Sequence, residues 1–306
     1  MTTLGRAPLI MRTFLRGPGL VVSRGMAAGR APPKQPPFPW RNDMLDGKHA
    51  IVTGGSAGIG AAITEALLQA GASVAVLARS RSKFDDLLPT LEEKKLPVDK
   101  THFISIDLSS TDDIRRAAIE ANEWAGGCAD ILVNNAGVAT IAPILDATVE
   151  DWDWTMNVNV RAPFIMAQEC AKRMIARGKG GKIVSTSSTA SLFALHDHAA
   201  YCTSKAAING LTQQVMSAEW SKYDINCNTV GPTIVLTDMG AKAWGEPEKG
   251  DPMVDRTPLG RFAEPWEMAH GVVFLVSPSS SQMCGQMLLL DGGITTTGTP
   301  CGTKYD

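Results

Sequence analysis

Tyr201 and Lys205 lie four positions apart in the segment HDHAAYCTSKAAINGL, among small side chains. In a helix, residues four apart are neighbours, with Cβ atoms about 5–6 Å apart. A phenol has a pKa near 10, and a nearby ammonium group favours the phenolate and so lowers that pKa. The pair is therefore suited to exchanging a proton with a substrate oxygen near neutral pH. The alternative is an ordinary pair on a helix surface.

Two more polar residues have the chemistry to assist such a proton transfer. Ser188 ends the segment IVSTSS, 13 residues before Tyr201, and its hydroxyl can donate a hydrogen bond to a developing oxyanion. Asn159 lies in the segment MNVNV inside a long helical pattern, where amide side chains are disfavoured and usually have a specific task. Capping or core hydrogen bonding is the alternative for both residues.

A glycine-rich segment, TGGSAGIG, follows the first apolar run and precedes a helical pattern. Gly54, Gly58 and Gly60 allow positive φ angles and a close approach of the backbone to a ligand. The free N–H groups and the positive dipole end of the following helix attract a pyrophosphate. This position between strand and helix indicates a dinucleotide site, in which we include Ser56 and Ile59. A simple tight turn is the alternative.

The second apolar run indicates which dinucleotide is bound. It ends in the sequence LARSR, and no acidic residue follows before Asp85. An NAD site usually carries an acid about 20 residues after the glycine loop, where it holds the ribose 2′-hydroxyl. A carboxylate would repel a 2′-phosphate, whereas the guanidinium of Arg79 can pair with it. The sequence therefore favours NADP(H), although Ala57 adds no second cation; a solvated arginine is the alternative.

The elements that must position these residues alternate between short apolar runs and helical segments. Alternating strands and helices predict right-handed crossovers and a parallel sheet with helices on both faces. We therefore expect an α/β fold, a single doubly wound Rossmann-type domain with a seven-stranded parallel sheet. The seven predicted strands are rich in Val, Ile or Leu, as buried strands are: HAIVTG, SVAVLA, THFISI, DILVNNA, GKIVSTSS, INCNTVG and QMLLLD.

Composition and charge argue against several classes of protein. The 306 residues are 44% hydrophobic and 20% charged, as in ordinary globular proteins. The formal net charge of −2 offers no basic field for nucleic acid or an anionic membrane. The six cysteines form no Cys-x-x-Cys motif, which fits a reducing compartment. His196 and His198 have no third ligand nearby in sequence, so we expect no metal site.

The first 42 residues differ from the rest of the chain. They contain six arginines and one lysine but no acidic residue, which resembles a mitochondrial transit peptide. A disordered tail, or translation from Met26, is the alternative, and in that case we expect a cytoplasmic protein. We place the domain at residues 43–293 and treat 1–42 and 294–306 as terminal segments.

Taken together, TGGSAGIG, ILVNNAG, MNVNV, IVSTSS and YCTSK closely resemble the short-chain dehydrogenase/reductase family, over essentially residues 45–293. The resemblance implies that Tyr201 is the acid/base of a carbonyl reduction, tuned by Lys205, which also binds the nicotinamide ribose. It implies that Ser188 holds the carbonyl oxygen and that Asn159 supports a water relay from Lys205. The further cofactor contacts that it implies are Asp107 and Leu108 near the adenine, Asn135, Ala136 and Gly137 near the adenosine, and Thr237 near the carboxamide or phosphates.

The region after the sixth strand resembles the L-xylulose (dicarbonyl) reductase branch of that family, through GPTIVLTDMGAKAWGEPEK together with ARGKGGKIV and HAAYC. The resemblance implies an NADPH-dependent reductase of small polar carbonyls (ketoses such as L-xylulose, and α-dicarbonyls), reversible as a polyol dehydrogenase. His198 and Trp244 would line the substrate pocket, with Asp197 near its rim. The alternatives are a tropinone-reductase-like enzyme, to which SAEWSKYDIN is similar, a 3-oxoacyl reductase, and a non-catalytic protein that senses the dinucleotide.

Two further expectations concern mobility and assembly. Residues 237–257 combine glycine, proline and charge between two better-defined elements, which predicts a mobile lid. The resemblance implies a homotetramer, with long helices around 150–177 and 199–220 at the subunit contacts.

Overall fold

The computed structural model describes residue 31 and residues 33–297. The predicted transit-like segment and the predicted C-terminal tail therefore lie largely outside the described residues. The seven strands are β1 (His49–Thr53), β2 (Ser73–Ala78), β3 (Thr101–Ser105), β4 (Ile131–Asn134), β5 (Gly181–Thr186), β6 (Ile225–Pro232) and β7 (Met287–Leu290). They form one sheet in the order β3-β2-β1-β4-β5-β6-β7, in which every pairing is parallel. The predicted α/β fold and its seven strands are confirmed.

Helices connect the strands and cover both faces of the sheet. They are α1 (Gly58–Gln69), α2 (Arg81–Glu93), α3 (Thr111–Trp124), α4 (Val149–Met156), α5 (Ala162–Arg177), α6 (Ala199–Asn209), α7 (Ser217–Trp220), α8 (Asp238–Trp244), α9 (Pro247–Asp255) and α10 (Pro265–Val276). Two π-helical segments, Asn157–Arg161 and Gly210–Met216, join α4 to α5 and α6 to α7. Within the described part of the chain, no helix is long and apolar enough to cross a membrane.

The five strands β1, β2, β4, β5 and β6 are mostly buried, whereas the edge strands β3 and β7 are partly exposed. Burial on both faces explains why the inner strand sequences are largely apolar. Along β1, Ile51 packs in the cluster that contains side chains of α3 and α5, such as Met166. Its neighbour Val52 packs in the other cluster, with side chains of α1 and α10 such as Ile63 and Val272. The sheet is therefore the middle layer between two helical layers.

The strand order reverses direction beside β1, between β2 and β4. Connections that leave neighbouring parallel strands toward opposite faces open a crevice at the carboxyl edge of the sheet, where ligands of such folds bind. The glycine loop follows β1 and the NNAG segment follows β4, so both lie at this crevice. The fold thus brings the predicted dinucleotide loop to the usual binding edge.

Two aromatic side chains that precede the predicted boundary at residue 43 pack on the domain. The Phe38 ring lies edge-on to His270, with centroids 5.7 Å apart, and the Trp40 ring stacks on Phe274 at 6.3 Å. Both aromatic side chains are partly buried against the α1–α10 layer. The domain boundary stays a prediction, but the packing of the chain onto α10 begins before it.

Candidate active site

The glycine loop after β1 has the backbone that a bound pyrophosphate requires. Gly54 and Gly58 have φ angles of +66° and +53°, a region that favours glycine. A Cβ added to Gly60 would collide with the carbonyl oxygen of Gly54. Ser56 is buried in the loop, and Ile59 lies half-buried in the first turn of α1. The loop therefore fits a dinucleotide phosphate at the N-terminus of α1.

Thr53 joins the glycine loop to the segment after β4. Its Oγ1 accepts hydrogen bonds from the backbone N–H groups of Asn135 (3.1 Å) and Ala136 (3.2 Å). The Asn135 amide donates to the Thr53 carbonyl oxygen at 3.2 Å. Sequence reasoning missed Thr53, although a polar residue at the end of the buried run HAIVT was a usable signal. These bonds hold the two sides of the crevice together.

Arg79 and Asp107 lie at the carboxyl ends of the neighbouring strands β2 and β3. Arg79 is exposed. Asp107 accepts hydrogen bonds from the backbone N–H (2.9 Å) and the hydroxyl (2.7 Å) of Ser109. These bonds and the positive charge of Arg79 hold the pKa of Asp107 below its usual value. Leu108 is partly buried beside them, against the α3–α5 layer. This end of the crevice thus presents one exposed cation and one ionised carboxylate.

Lys205 is buried at the opposite end of the crevice, with 4% of its surface exposed. Its Nζ donates a hydrogen bond to the carbonyl oxygen of Thr186 at 2.8 Å and lies 5.6 Å from the centroid of the Tyr201 ring. Burial lowers the pKa of Lys205 to about 8, because the charged form loses its hydration. The predicted one-turn neighbourhood of Tyr201 and Lys205 is therefore present.

The sequence predicted a lowered pKa for Tyr201, and the structure corrects that direction. Burial raises the Tyr201 pKa, and a hydrogen bond with Ser188 opposes this rise. The Lys205 Nζ, 5.6 Å from the ring centroid, does not offset this effect of burial. Ser188 is buried two residues after the end of β5, and its Oγ accepts a hydrogen bond from the Ala190 N–H at 3.1 Å. Ser188 and Tyr201 are brought together as expected.

Asn159 lies in the first π-helical segment, and such segments occur often at functional sites. Its Oδ1 accepts from the Val138 N–H at 2.9 Å, and its Nδ2 donates to the Val138 carbonyl oxygen at 2.8 Å. A Cβ added to Gly137 would lie 3.3 Å from Lys205 Nζ and 3.4 Å from Asn159 Oδ1. Asn159, Lys205 and the backbone after β4 therefore meet at one point.

The predicted substrate residues differ in their relation to this site. The His198 ring lies 6.2 Å from the Tyr201 ring, and its Nδ1 is 2.6 Å from the His196 carbonyl oxygen. Asp197 adopts a φ of +63° beside it. Trp244 is half-buried at the end of α8, and no ring contact among the described residues joins it to Tyr201 or His198. Within the same residues, no three His, Cys, Asp or Glu side chains are grouped for a metal ion.

Thr237 lies against the glycine loop. A Cβ added to Gly58 would be 3.1 Å from Thr237 Cγ2, and the Thr237 hydroxyl caps α8 by accepting from the Gly240 N–H at 3.1 Å. The predicted lid at 237–257 begins here and contains the two helices α8 and α9. Its mobility stays a prediction.

Comparison with known proteins identifies the family to which the chain belongs. A family model described as "Enoyl-(Acyl carrier protein) reductase" matches residues 54–295. The chain is 40% identical to an L-xylulose reductase from Bos taurus over 253 residues, which cover 83% of this chain and 98% of that protein. It is also 40% identical to an NAD-dependent glycerol dehydrogenase from Listeria innocua over 248 residues, covering 81% of this chain and 94% of that protein.

A solved structure has the same fold. The gluconate 5-dehydrogenase from Burkholderia cenocepacia J2315, in complex with NADP and tartrate, superposes with a TM-score of 0.76 and 33% identity. The match covers 84% of this chain and 98% of that chain. The family match spans the glycine loop, the segment after β4 and the helix that carries Tyr201 and Lys205. The chain therefore belongs to the short-chain dehydrogenase/reductase family, whose members are nicotinamide-dependent oxidoreductases acting on C=O and CH–OH groups.

Proposed function

We propose that the protein is an NADPH-dependent reductase of small polar carbonyls, such as ketoses and α-dicarbonyls, that also runs in reverse as a polyol dehydrogenase. One observation carries the proposal: Lys205, Tyr201 and Ser188 meet at the carboxyl edge of the sheet that also carries the glycine loop. The relatives named for L-xylulose, glycerol and gluconate support small polyhydroxylated substrates.

The proposed mechanism assigns one task to each side chain. NADPH, when bound, supplies a hydride to the carbonyl carbon, and negative charge then develops on the carbonyl oxygen. Ser188 donates a hydrogen bond to that oxygen, and Tyr201 transfers its phenolic proton to it. Tyr201 is protonated at neutral pH, as a proton donor must be, because a phenol has a pKa near 10 and burial raises the pKa of this one. The Lys205 ammonium stabilises the phenolate that remains, and Asn159 holds the backbone beside Lys205.

The residues proposed to hold the cofactor line the crevice from end to end. The glycine loop, with Ser56 and Ile59, binds the pyrophosphate, and Arg79 binds the 2′-phosphate. The named relatives include an NAD-dependent enzyme and a structure with NADP. The cofactor preference of this protein therefore has to be inferred from its own residues. The exposed guanidinium of Arg79 at the end of β2 supports NADPH.

A second candidate is a reductase of bulkier ketones or 3-oxoacyl groups. Ile141 and Leu192 are 63% and 54% exposed. Ala142 forms a β-bridge with His198, so Ile141 lies beside the catalytic helix, and Leu192 ends the turn that Ser188 begins. Apolar side chains near the reacting groups favour an apolar substrate chain. The description of the matching family model points in the same direction.

Purified protein is to be assayed with NADPH and NADH against diacetyl, L-xylulose, other ketoses, tropinone and a 3-oxoacyl thioester. We expect the fastest turnover with NADPH and a ketose or diacetyl. We expect Tyr201→Phe to lose at least about 100-fold in kcat, because the proton donor is removed. Preference for tropinone or the thioester would favour the second candidate. Binding of the cofactor without turnover of any carbonyl would favour a dinucleotide-sensing protein.

We also propose a homotetramer and an intracellular location, which is mitochondrial if residues 1–42 are a leader and cytoplasmic otherwise. Phe164 on α5 and Val215 in the second π-helical segment are 42% and 49% exposed, so the two long helical stretches offer apolar surface for subunit contacts. Light scattering coupled to size-exclusion chromatography measures the number of subunits, and a monomer would contradict the proposed homotetramer.

A further inference from the structure

Ser204 lies on α6 between Tyr201 and Lys205 and is completely buried. Its Oγ donates a hydrogen bond to the Tyr201 carbonyl oxygen at 2.7 Å. The same oxygen accepts a hydrogen bond from Asn159 Nδ2 at 2.9 Å. The proposed mechanism gives this hydroxyl no task, yet it bonds to two of the four residues assigned to catalysis.

The directions of these bonds fix the orientation of the Asn159 amide. A serine hydroxyl has one proton, and Ser204 gives it to Tyr201, so only a lone pair faces Asn159. Val138 presents a donor and an acceptor to the other side of the same amide. If the amide turned over, its oxygen would face the Val138 carbonyl and the Ser204 lone pair, and all three hydrogen bonds would be lost. The amide therefore has one favourable orientation.

The hydrogen bonds of the Asn159 side chain connect three separate elements. Ser204 belongs to α6, Asn159 to the first π-helical segment, and Val138 to the loop after β4. Gly137, next to Val138, is in reach of both Lys205 Nζ and Asn159 Oδ1. Both N–H groups of the Asn159 amide are already used by Val138 and Ser204. The side chain of Asn159 therefore uses both of its N–H groups to hold these three elements together.

We propose that Ser204 is a positioning residue: it locks Asn159 to α6 and thereby holds the Gly137–Val138 backbone beside Lys205. The proposal rests on the proposed reductase function. Ser204→Ala leaves one buried N–H of Asn159 without an acceptor. The amide keeps its two bonds to Val138 but loses its bond to α6, so the Asn159–Val138 pair is held less firmly beside Lys205. Ser204 therefore acts through Asn159, and its effect depends on the presence of that amide.

The test is a double-mutant cycle on kcat with NADPH and the best carbonyl substrate. We expect Ser204→Ala to lower kcat about 10-fold, and to lower it less than 2-fold when Asn159 is already alanine. We also expect Ser204→Ala to move the midpoint of the pH profile of kcat, because the surroundings of Lys205 change. Ser204→Cys, which keeps a weak acceptor of similar shape, is expected to lie between serine and alanine.

Ser217→Ala is the matched control. Ser217 lies 13 residues further along the same helical stretch, and its hydroxyl bonds to the carbonyl oxygens of Thr212 and Cys227, both at 3.1 Å. We expect this variant to melt earlier without any change in the pH profile. Equal losses from Ser204→Ala with and without the Asn159 amide, or an unmoved pH profile, would overturn the positioning role. Absence of turnover in the unmodified protein would instead refute the proposed function.

Discussion

Replacing Arg79 tests the cofactor preference most directly. Arg79 is exposed at the end of β2, and the ion pairs of the described residues do not include it. Arg81, two residues later, already bonds to Asp85 at 2.8 Å and lies over the Phe103 ring, 5.4 Å from its centroid. Only the first guanidinium is therefore available for a ligand phosphate. Arg79→Gln and Arg81→Gln form a matched pair.

The expected size of the effect follows from the exposure of Arg79. A hydrogen bond to a charged group contributes about 1.5–3 kcal/mol. Because Arg79 is exposed and screened by solvent, the lower figure applies, and about 1.4 kcal/mol corresponds to a factor of 10. We therefore expect Arg79→Gln to reduce the ratio of kcat/KM for NADPH to that for NADH about 10-fold, through weaker use of NADPH alone.

The assay is oxidation of each reduced cofactor at fixed carbonyl concentration, at low and high salt. Arg81→Gln is expected to keep the NADPH/NADH ratio within 2-fold of the parent, because its guanidinium is engaged with Asp85. The effect of Arg79→Gln is expected to shrink as salt rises. If Arg79→Gln leaves the ratio unchanged, or Arg81→Gln lowers it equally, the assignment of the 2′-phosphate contact to Arg79 is refuted.

Three further predictions concern the loop, the buried lysine and the N-terminal aromatics. Gly60→Ala is expected to abolish NADPH binding in calorimetry, because its Cβ meets the Gly54 carbonyl, whereas Gly210→Ala, which meets nothing within 4 Å, should bind normally. NADPH affinity should fall as pH rises through about 8, with proton uptake on binding. The anionic cofactor favours the ammonium of Lys205, and Lys205→Met should abolish that uptake. Phe38→Ala combined with Trp40→Ala should lower Tm by about 5 °C with kcat unchanged, since only packing on α10 is lost.

The sheet was predictable because parallel strands that are buried on both faces must be apolar throughout. All seven predicted runs coincide with strands, and the residues at their carboxyl ends converge on one edge. The neighbourhood of Tyr201 and Lys205 followed from helical spacing alone. Contacts that depend on which elements meet in space were not predictable, and Thr53 and Ser204 owe their bonds to such meetings.

The segment at 237–257 and the pKa of Tyr201 show a different limit of prediction from the sequence. Glycine, proline and charge at 237–257 predicted a mobile lid, and this segment contains the helices α8 and α9. Pro247 stands in the first turn of α9, where proline is tolerated, whereas Pro252 lies inside that helix. The direction in which the Tyr201 pKa shifts depends on whether burial or a nearby charge has the larger effect. Helical spacing predicts how near the ammonium of Lys205 lies to Tyr201, but not how strongly the two groups are shielded from water.

The two pKa shifts at the catalytic end of the crevice have one physical cause. Burial raises the pKa of Tyr201 and lowers that of Lys205 to about 8, so in the protein without ligand burial shifts each group toward its neutral form. An anionic dinucleotide in the same crevice acts on the lysine in the opposite direction, because negative charge favours the ammonium. The ammonium in turn favours the phenolate, which the reverse reaction needs as its proton acceptor. Cofactor binding is therefore expected to raise the fraction of Lys205 that is charged near pH 8. The proton uptake predicted near pH 8 is the measurable sign of that change.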